Sequence, residues 1–501
     1  MWESLSEHAL VLFNLLILSY FVVGNGVYTA LMVMSLRCVW IHSRRLAYQG
    51  LTELRGSSLT PPVTIIVPAW NEEQIIVEAV RSALGVDYPQ VSVIVVDDGS
   101  TDSTRVRLTA AFKLAPLDQA YHPTLPTRAV YGFYFNPHLS NLLLVHKQRG
   151  GKPDALNTGI NLCRSPYFCC LDADCILERD SLLRLMEPIL RSPGETVVSG
   201  GIVRIINGCK EKNGRIVKLG LPATSLARFQ VVEYLRSFLT GRNGWALLGG
   251  TVIVSGAFAL FERKAVMEVG GFSADTVTED MDLIITLRDR AAKTKSDIRM
   301  AFTSDPVCWT ECPASLTMLN RQRRRWQLGL CQTLWKHRNM LFRRRYGMVG
   351  LFSLPFHLYV EALGTIVEFF GYLLVPLSFY GGLMSPPLLI LLIMLGLAYG
   401  GFLSVGAVLL EEMTCRRYPG HRDLLLLLAY GMLENVGYRQ LILLFRVQGT
   451  IKFLIGSHRW ENVIHKGESL VSQATDLTPA SADMSAGNAG QSLDGRLPEG
   501  I

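Results

Sequence analysis

Acidic residues in this chain follow short apolar segments, at points where a strand would end. Three such segments are Val63–Ala69 before Asn71-Glu72, Val91–Val96 before Asp97-Asp98, and Tyr167–Leu171 before Asp172-Ala173-Asp174. The carboxyl ends of parallel strands meet at one edge of an open sheet, and ligands bind there. A single acidic strand end is compatible with a turn or a helix cap, but three together indicate a shared site for a cation or a polar ligand.

Asp172 and Asp174 are the pair best suited to bind a metal ion. Two carboxylates at a strand end can hold Mg²⁺ or Mn²⁺, which take oxygen ligands and bridge phosphate oxygens. Such an ion would neutralise the charge that develops on a leaving diphosphate. The chain has no G-x-x-x-x-G-K-[ST] loop, and no G-x-G-x-x-G opens its first helix. A bound nucleotide would therefore need another counter-charge, which the metal can supply.

A second acidic motif, Thr278-Glu279-Asp280, precedes a predicted helix over Met281–Arg290. A helix N-terminus stabilises negative charge, so Asp280 could act as a general base that takes a proton from an attacking hydroxyl. Capping of the helix is the alternative role for these residues.

A basic and aromatic run, Arg321-Gln322-Arg323-Arg324-Arg325-Trp326, lies on another predicted helix. Arg325 could neutralise a diphosphate while Trp326 stacks against a sugar face. A basic collar that faces the membrane is the alternative. The basic residues of the chain form no nucleic-acid-binding module, so we expect no nucleic-acid partner.

The segments that position these residues alternate between strands and helices. Leu142–Val145 is a further predicted strand, and the predicted helices cover Glu72–Leu84, a stretch from about Asp102, and Pro153–Cys163. This alternation predicts an α/β domain with an open, mostly parallel sheet. Residues 105–145 form an insert of about 40 residues to which the sequence assigns no role.

Taken together, these motifs resemble those of the family 2 glycosyltransferases, and in particular the membrane branch that contains cellulose, chitin, hyaluronan and poly-N-acetylglucosamine synthases. The resemblance covers about residues 60–330 and part of the apolar region that follows. In chain order the matching motifs are Val67-Pro68-Ala69-Trp70-Asn71-Glu72-Glu73, Asp97-Asp98-Gly99-Ser100, Gly151-Lys152-Pro153-Asp154-Ala155-Leu156-Asn157, Asp172-Ala173-Asp174, Thr278-Glu279-Asp280 and Gln322-x-x-Arg325-Trp326.

The resemblance implies an inverting transferase with a nucleotide-sugar-binding fold and a nucleotide-activated sugar, such as a UDP-sugar, as its donor. It implies that Asp280 is the catalytic base and that Asp172 and Asp174 bind the metal. The residues that it assigns to the nucleotide sugar are Pro68, Glu72, Asp97, Asp98, Lys152 and Asp172. Those that it assigns to the acceptor or the diphosphate are Gln322, Arg325 and Trp326.

The chain is more apolar than most soluble enzymes, and the excess lies in separate blocks. Hydrophobic residues make up 49% of the 501 residues, and the mean hydropathy is +0.26. Residues 9–36 form a block that is too long for a signal-peptide core and long enough for a retained transmembrane helix. Arg37, Arg44 and Arg45 follow it, so the positive-inside rule predicts an external N-terminus.

Further apolar blocks lie at about 349–380, 388–410 and 423–445. Three spans would place Arg446, Lys452 and Arg459 outside, against the same rule, so we expect an interfacial segment at 349–360 or 430–440. Polar residues at membrane depth either line a path for a glycan or pair with each other. Those in or beside these blocks are Glu361, Glu368, Glu434, Asn435, Arg439 and Gln440.

The sequence thus predicts four regions. They are a transmembrane helix at 1–40, a cytoplasmic catalytic domain at 60–345, transmembrane or interfacial helices at 346–460, and a disordered tail at 467–501 that is rich in Ser, Ala, Gly and Asp. We expect an integral protein of the plasma membrane. Because the chain has no C-x-x-C pair, we expect buried free thiols in the cytosolic domain rather than disulfides or a zinc site, at Cys163, Cys169, Cys170 and Cys175.

Three functions fit these features. The first is a processive polysaccharide synthase that extends and exports a β-linked glycan, with accessory export proteins as further partners. The second is a transferase that adds one sugar to a lipid acceptor. The third, an inactive membrane scaffold, is disfavoured because the set of carboxylates is intact. Polar residues in the membrane blocks favour the first. The expected partners are a nucleotide-sugar donor, a growing glycan or lipid acceptor, and membrane lipid.

Overall fold

The computed structural model describes residues 2–46, 60–414, 418 and 420–456. The predicted tail at 467–501 lies outside the described residues, as do Arg416, Arg417 and Arg459.

The catalytic region is built on one ten-stranded sheet, in which neighbouring strands follow the order β3-β4-β5-β2-β1-β6-β11-β8-β12-β7. Its centre, β5-β2-β1-β6, is parallel, and β8 and β12 are parallel to each other. The open, mostly parallel sheet expected from the sequence is confirmed in this centre, while antiparallel strands complete the edges. The strands are β1 (Val63–Ala69), β2 (Val91–Asp97), β3 (Ala115–Leu117), β4 (Val130–Phe135), β5 (Leu142–Lys147), β6 (Tyr167–Leu171), β7 (Cys175–Leu177), β8 (Thr196–Ile205), β11 (Phe258–Glu262) and β12 (Arg299–Thr310), with β9 (Lys210–Glu211) and β10 (Ile216–Lys218) as a separate hairpin.

The central strands are buried on both faces, which explains their continuous apolar sequence. In β1, Ile65 and Val67 pack into the core on one side of the sheet, and Ile66 packs into the core on the other side. This alternation follows from the two-residue period of a strand. Each fully buried side chain of this size stabilises the fold by about 1.5–3 kcal/mol, so β1 is a rigid support for the residues at its carboxyl end.

Helices cover the sheet and form the membrane-facing part of the chain. They are α1 (Trp2–Leu46), α2 (Ile76–Leu84), α3 (Thr104–Phe112), α4 (Lys152–Leu162), α5 (Ser181–Arg191), α6 (Ser225–Leu235), α7 (Asn243–Leu247), α8 (Arg263–Glu268), α9 (Glu279–Thr294), α10 (Leu316–Lys336), α11 (Leu354–Phe356), α12 (Gly364–Tyr380), α13 (Pro386–Ile393), α14 (Tyr399–Thr414), α15 (His421–Leu433) and α16 (Tyr438–Leu454). Short π-helical segments join several of them, at Arg236–Arg242, Val349–Ser353, His357–Ala362 and Met394–Ala398. Single 3₁₀ turns lie at Pro137–Leu139, Arg338–Met340 and Arg344–Tyr346.

One local expectation needs correction, and the structure describes one segment to which the sequence assigned no role. The helix predicted over Glu72–Leu84 begins only at Ile76, because Asn71 adopts a left-handed conformation (φ 57°) that turns the chain at the strand end. The insert at 105–145 contains most of α3 and the edge strands β3 and β4, which extend the sheet beyond β5.

Within the part of the chain that the structure describes, three helical segments are long and apolar enough to cross a membrane, namely Leu10–Ile41, Val349–Tyr380 and Pro386–Met413. The apolar block predicted at 423–445 does not continue them as one helix. It is divided between α15 and α16 at Gly437, whose φ of 94° favours glycine and interrupts the helix.

One continuous helix, residues 225–247, links the catalytic sheet to the membrane-facing helices. It comprises α6, the π-helical segment Arg236–Arg242 and α7, and we call it the connecting helix. It packs against α1, α14 and α15. A Cβ added at Gly244 would lie 2.7 Å from the Leu31 carbonyl oxygen, so glycine permits the close approach to α1.

Candidate active site

A cavity of about 1070 Å³ begins at the carboxyl ends of β1, β2 and β6 and continues between the membrane-facing helices. Almost all of the predicted site residues line this cavity: Pro68, Glu72, Asp98, Lys152, Asp172, Asp174, Asp280, Gln322, Arg325 and Trp326. We call the part near the strand ends the donor end, and the part bordered by α1, α12 and α16 the membrane end. Asp97 is the one predicted site residue that the cavity lining does not include.

Asp97 and Asp98 are adjacent in sequence but face different surroundings. The Asp97 carboxylate accepts a hydrogen bond from the Ser100 backbone N–H (2.9 Å) and pairs with His146 (2.8 Å). It therefore fixes the turn after β2. Asp98 faces the cavity and accepts hydrogen bonds from the backbone N–H groups of Gly150 (2.9 Å) and Gly151 (2.7 Å).

Lys147 was not identified from the sequence, although it supports Asp98. Its ammonium is fully buried and lies 2.8 Å from Asp98 and 2.6 Å from Asp154. A buried lysine between two carboxylates holds both at fixed positions, so it orients Asp98 at the edge of the cavity.

Lys152, the second residue of its motif and the first of α4, reaches the predicted metal-binding strand end. Its ammonium lies 2.6 Å from Asp172 and 3.3 Å from Glu279. Burial alone would lower the pKa of Lys152, but these carboxylates outweigh it and raise the pKa above its usual range. Lys152 is therefore a permanent positive charge next to Asp172, suited to contact a phosphate.

Asp174 is held in place by Thr310 on β12, whose hydroxyl donates to it at 2.9 Å, and by the Cys175 thiol (3.3 Å). Burial, and then the charges of Asp174 and Asp172, raise the pKa of Glu72 well above its usual range. One Glu72 oxygen is also buried without a hydrogen-bond partner. This excess of negative charge favours a cation.

Asp172 and Asp174 fit a divalent cation as two of its ligands. Among the described residues, no group of three or more His, Cys, Asp or Glu side chains forms a complete metal site. This agrees with the usual binding of Mg²⁺, which takes one or two carboxylates and completes its shell with water and substrate phosphate. The two carboxylates therefore match the predicted metal-binding role, in which the phosphates of a bound nucleotide sugar would supply further ligands.

Asp280 lies in the first turn of α9, as the sequence predicts, and its side chain is held by backbone groups. Its carboxylate accepts hydrogen bonds from the N–H groups of Gly256 (2.9 Å) and Met281 (2.8 Å). Both donors leave further lone pairs of the carboxylate free to face the cavity. Asp280 is thus positioned to accept a proton from a group bound there.

On α10, the motif residues face the cavity at the junction of its two ends. Gln322 is buried and accepts a hydrogen bond from Arg323 (3.0 Å). Arg323 pairs with Glu233 (2.6 Å) and lies 4.2 Å from the centroid of the Trp326 ring. Trp326 keeps 39% of its surface exposed, so its ring is available to an occupant of the cavity.

Arg149 and Trp70 form a stacked pair at the donor end that the sequence analysis did not identify. The Arg149 guanidinium lies 3.8 Å from the centroid of the Trp70 ring, and both line the cavity. Trp70 belongs to the motif after β1, but no spacing links it to Arg149, because the two residues meet only through the parallel pairing of β1, β2 and β5.

The connecting helix is the largest part of the site that sequence patterns did not reveal. Several of its residues line the cavity, namely Glu233, Tyr234, Arg236, Ser237, Phe238, Thr240, Gly241, Arg242 and Trp245. Thr224 caps its N-terminus by accepting a hydrogen bond from the Ala227 N–H (3.4 Å). The pair Thr224-Ser225 was the local sequence signal that could have predicted the start of this helix.

At the membrane end, the predicted polar residues form ion pairs and also line the cavity. Arg446 lies 3.0 Å from Glu361, and Arg439 lies 3.6 Å from Glu368. Glu434 pairs with Arg236 of the connecting helix. Internal pairing and a polar cavity lining are therefore both present for Glu361 and Glu368, whereas Glu434 is buried behind Arg236.

The nine free cysteines of the described residues include the four predicted near β6, and Cys163, Cys169, Cys170 and Cys175 are all buried. The expectation of buried free thiols is confirmed.

Comparison with known proteins identifies similar sequences for part of the chain. Residues 64–270 match the family Glycosyl transferase family 2. A poly-β-1,6-N-acetyl-D-glucosamine synthase of Staphylococcus epidermidis is 25% identical over 267 residues, which cover 53% of this chain and 54% of that protein. The enzyme of the same name from Staphylococcus aureus strain COL is 26% identical over 268 residues, with the same coverage. The match thus spans about half the length of the curated relatives.

Two solved structures are also similar. A mannosyltransferase from Pyrobaculum calidifontis in complex with GDP-Man and Mn²⁺ is 18% identical and gives a TM-score of 0.45, over 87% of this chain and 99% of that chain. Glucosyl-3-phosphoglycerate synthase from Mycobacterium tuberculosis with Mg²⁺ and UDP is 18% identical, with a TM-score of 0.33 over 57% and 83%. Likenesses at these TM-scores carry no weight for the activity of this chain.

Proposed function

We propose that the chain, of which residues 64–270 match Glycosyl transferase family 2, is an inverting membrane glycosyltransferase that uses a nucleotide-activated sugar, most simply a UDP-sugar. We further propose that it is a processive synthase that extends a β-linked glycan.

One observation carries this proposal. The acidic donor end and the polar membrane end belong to a single cavity, with Asp280, Gln322 and Trp326 between them. The cavity of about 1070 Å³ lies at the upper end of the range for small-ligand pockets, about 300–1,000 Å³, and its lining extends from the strand ends to the membrane-facing helices. This extent supports an acceptor that continues from the transfer site toward the membrane helices.

Binding of the donor would use groups that the fold already holds in place. Asp98, fixed by Lys147 and by two backbone N–H groups, would accept hydrogen bonds from the nucleoside. Lys152 and Arg325 would contact the diphosphate, since both line the cavity beside Asp172. Burial raises the pKa of Asp172, while the charges of Lys152 and, less strongly, Arg325 act in the opposite direction.

Transfer would proceed by a single displacement. The acceptor hydroxyl oxygen attacks the anomeric carbon of the donor from the side opposite the diphosphate, and Asp280 takes the hydroxyl proton. The bond between the anomeric carbon and the phosphate oxygen breaks, and the nucleoside diphosphate leaves with the bonding electrons. Lys152 and Arg325 stabilise the charge on this leaving group.

Asp172 and Asp174 would hold a divalent cation in this site, either Mg²⁺ or Mn²⁺. When bound, the cation would supply positive charge to the departing diphosphate. Thr310 and Cys175 would serve this role indirectly, because their hydrogen bonds orient Asp174.

The arrangement of the apolar segments supports a catalytic domain on the cytoplasmic side of the membrane, and we propose that this is the plasma membrane. With spans at Leu10–Ile41, Val349–Tyr380 and Pro386–Met413, an external N-terminus leaves both the catalytic domain and α16 on the cytoplasmic side. Arg446 and Lys452 then obey the positive-inside rule, because α15 and α16 do not add a fourth span. Nucleotide sugars would reach the donor end without transport.

A single-sugar transferase with a lipid acceptor is the second candidate function. The apolar cluster formed by Leu31, Trp245 and Phe356 favours it, because this cluster joins α1, the connecting helix and α11 beside the cavity. An inactive scaffold is disfavoured, since the expected carboxylates other than Asp97 all line one cavity.

Incubation of the purified full-length protein with a panel of radiolabelled UDP-sugars tests the proposal. We expect one sugar to be incorporated into a product of high molecular weight that depends on Mg²⁺ or Mn²⁺. A product of one sugar on a lipid, at every donor concentration, would contradict the synthase and support the second candidate. Absence of both sugar transfer and donor hydrolysis with every nucleotide sugar would contradict both.

A further inference from the structure

Several arginines lie around the middle and the membrane end of the cavity, and most of them are paired with a carboxylate. The pairs are Arg236–Glu434, Arg323–Glu233, Arg439–Glu368 and Arg446–Glu361. A charge that is withdrawn from water is costly unless it is paired, so these pairs are the expected arrangement beside membrane helices.

Arg242 is the exception within this group. It ends the π-helical segment of the connecting helix and lines the cavity. Among the described residues its guanidinium makes no ion pair and no hydrogen bond, and its Nη1 atom is buried without a partner. Its contact is the face of the Phe238 ring, 3.7 Å from the centroid. Burial lowers the pKa of Arg242 to about 10, while the charge of Asp280 acts in the opposite direction.

Thr251, in the same lining, also has an unsatisfied polar atom among the described residues. The hydroxyl of Thr251 is buried, lines the cavity and has no hydrogen-bond partner. A guanidinium and a hydroxyl are both hydrogen-bond donors that suit a phosphate group. Buried polar groups are normally satisfied, so the unsatisfied donors of Arg242 and Thr251 indicate a ligand that accepts hydrogen bonds from them.

The surroundings of Arg242 show which kind of molecule could bring an anion there. The lining near it includes the rings of Trp245 and Phe356, which lie 5.5 Å apart, and Leu31 of α1. Both Leu31 and Phe356 lie in segments that are apolar enough to cross a membrane. An anionic group at Arg242 would thus be next to apolar walls that border the membrane region, as the headgroup of an amphipathic molecule would require.

We infer that Arg242, with Thr251, binds the phosphate of a lipid-linked acceptor, whose sugar hydroxyl is presented to Asp280. The inference rests on the proposed transferase activity and adds the chemical class of the acceptor. The chemistry is the displacement described above: the acceptor hydroxyl oxygen forms the new bond to the anomeric carbon, Asp280 takes the proton, and the nucleoside diphosphate leaves. The acceptor phosphate stays intact and serves only for recognition. In a synthase, such a molecule would be the primer that is extended.

The test compares two acceptors with the purified full-length enzyme and the UDP-sugar that it hydrolyses. One is N-acetylglucosamine linked to farnesyl diphosphate, and the other is octyl N-acetylglucosaminide, which has no phosphate. We expect wild-type kcat/KM to be about 10- to 100-fold higher for the charged acceptor, as one charge-assisted contact provides. Arg242→Gln should reduce this ratio by about tenfold or more. Because both acceptors are measured on the same preparation, partial misfolding does not alter the ratio.

Arg228→Gln is the matched control, since Arg228 lies on the same helix but outside the cavity lining. It should leave the ratio unchanged. Arg242→Lys, which keeps the charge but loses the planar fork, should give an intermediate ratio. If both Arg242 variants lose all transfer, the increase in unfolding temperature caused by farnesyl diphosphate is compared between Arg242→Gln and the wild type. A smaller increase for Arg242→Gln would support the inference, and an equal increase would overturn it.

Two further outcomes separate the possible failures. If the wild type hydrolyses no nucleotide sugar, the proposed function itself fails. If it hydrolyses the donor but uses both acceptors equally well, the function stands and the acceptor assignment is wrong. Equal inhibition by inorganic phosphate and by farnesyl phosphate would identify a site for free phosphate and would also overturn the lipid assignment.

Discussion

The donor end and the membrane end of the cavity differ in how their charges are balanced. At the donor end, Glu72, Asp172 and Asp174 lie close together, and their mutual repulsion helps to raise the pKa of Glu72. At the membrane end, the charged residues are matched in pairs, with Arg242 as the exception. The unbalanced carboxylates of the donor end suit a cation with a diphosphate, whereas the paired charges of the membrane end suit a largely neutral occupant. On the proposed function, the chemistry and the passage of the acceptor would use separate parts of one cavity.

The largest effect is expected where the two ends meet. Asp280→Asn should lower turnover by about 10²- to 10⁴-fold, because a general base contributes that factor, while donor binding is largely retained. Initial rates of transfer and the affinity for UDP-sugar measure the two quantities separately. Asp289→Asn, on the same helix but outside the cavity lining, is the control. Near-wild-type turnover of Asp280→Asn would mean that another group is the base.

The second prediction concerns the ion pair that joins the sheet to the membrane-facing helices. Arg204 at the end of β8 pairs with Glu411 of α14 through a hydrogen bond of 2.7 Å, and both are almost fully buried. Arg204→Met should destabilise the protein by about 3–5 kcal/mol, and adding Glu411→Met should recover most of that loss. Thermal unfolding in detergent measures both.

An exposed pair provides the control for this experiment. Arg299 lies 3.2 Å from Glu195, and the two side chains are 60% and 46% exposed. Arg299→Met should therefore change the stability by less than about 1 kcal/mol. Equal losses for the buried and the exposed variant would contradict a structural role for the Arg204–Glu411 pair.

Removal of one donor-end carboxylate should have an effect of intermediate size. Asp174→Ala should weaken UDP-sugar binding on the order of 100-fold, since a bound metal supplies several kcal/mol of charge stabilisation. The dependence of activity on added Mg²⁺ or Mn²⁺ should disappear with it. Undiminished activity of the wild type in EDTA would rule out this metal role, whatever the variant does.

The smallest effect is expected from the aromatic surface between the two ends. Trp326→Ala should shorten the product or lower elongation by about 2- to 10-fold, because aromatic stacking is worth about 0.5–1.5 kcal/mol. Donor hydrolysis should fall less than elongation. Product sizing and free UDP release measure the two effects. Trp335→Ala, on the same helix but outside the cavity lining, should leave product length unchanged. Equal losses in elongation and hydrolysis would argue against a glycan contact.

The sequence by itself determined the donor end. Its residues lie in contiguous motifs at strand ends, and short-range rules place them: apolar runs such as Val63–Ala69 form buried strands, and the residue after each run reaches the sheet edge. Asp172 and Asp174 could be predicted for this reason, and Asp280 because it lies at the start of a predicted helix. These rules do not predict the direction of each side chain. Asp97 and Asp98 are neighbours in the sequence, yet Asp97 faces His146 while Asp98 faces the cavity.

The contacts at the membrane end could be found only from the tertiary structure. Its contacts join residues that are far apart in the chain, such as Tyr20 with Glu368 (2.7 Å) and Arg446 with Glu361 (3.0 Å), and no local pattern encodes such pairs. The connecting helix became part of the site only because it packs between the sheet and α1. Whether an arginine is paired likewise depends on its neighbours in space. Arg236 and Arg242 are alike in the sequence, but the fold pairs Arg236 with Glu434 and leaves the Nη1 atom of Arg242 without a partner among the described residues.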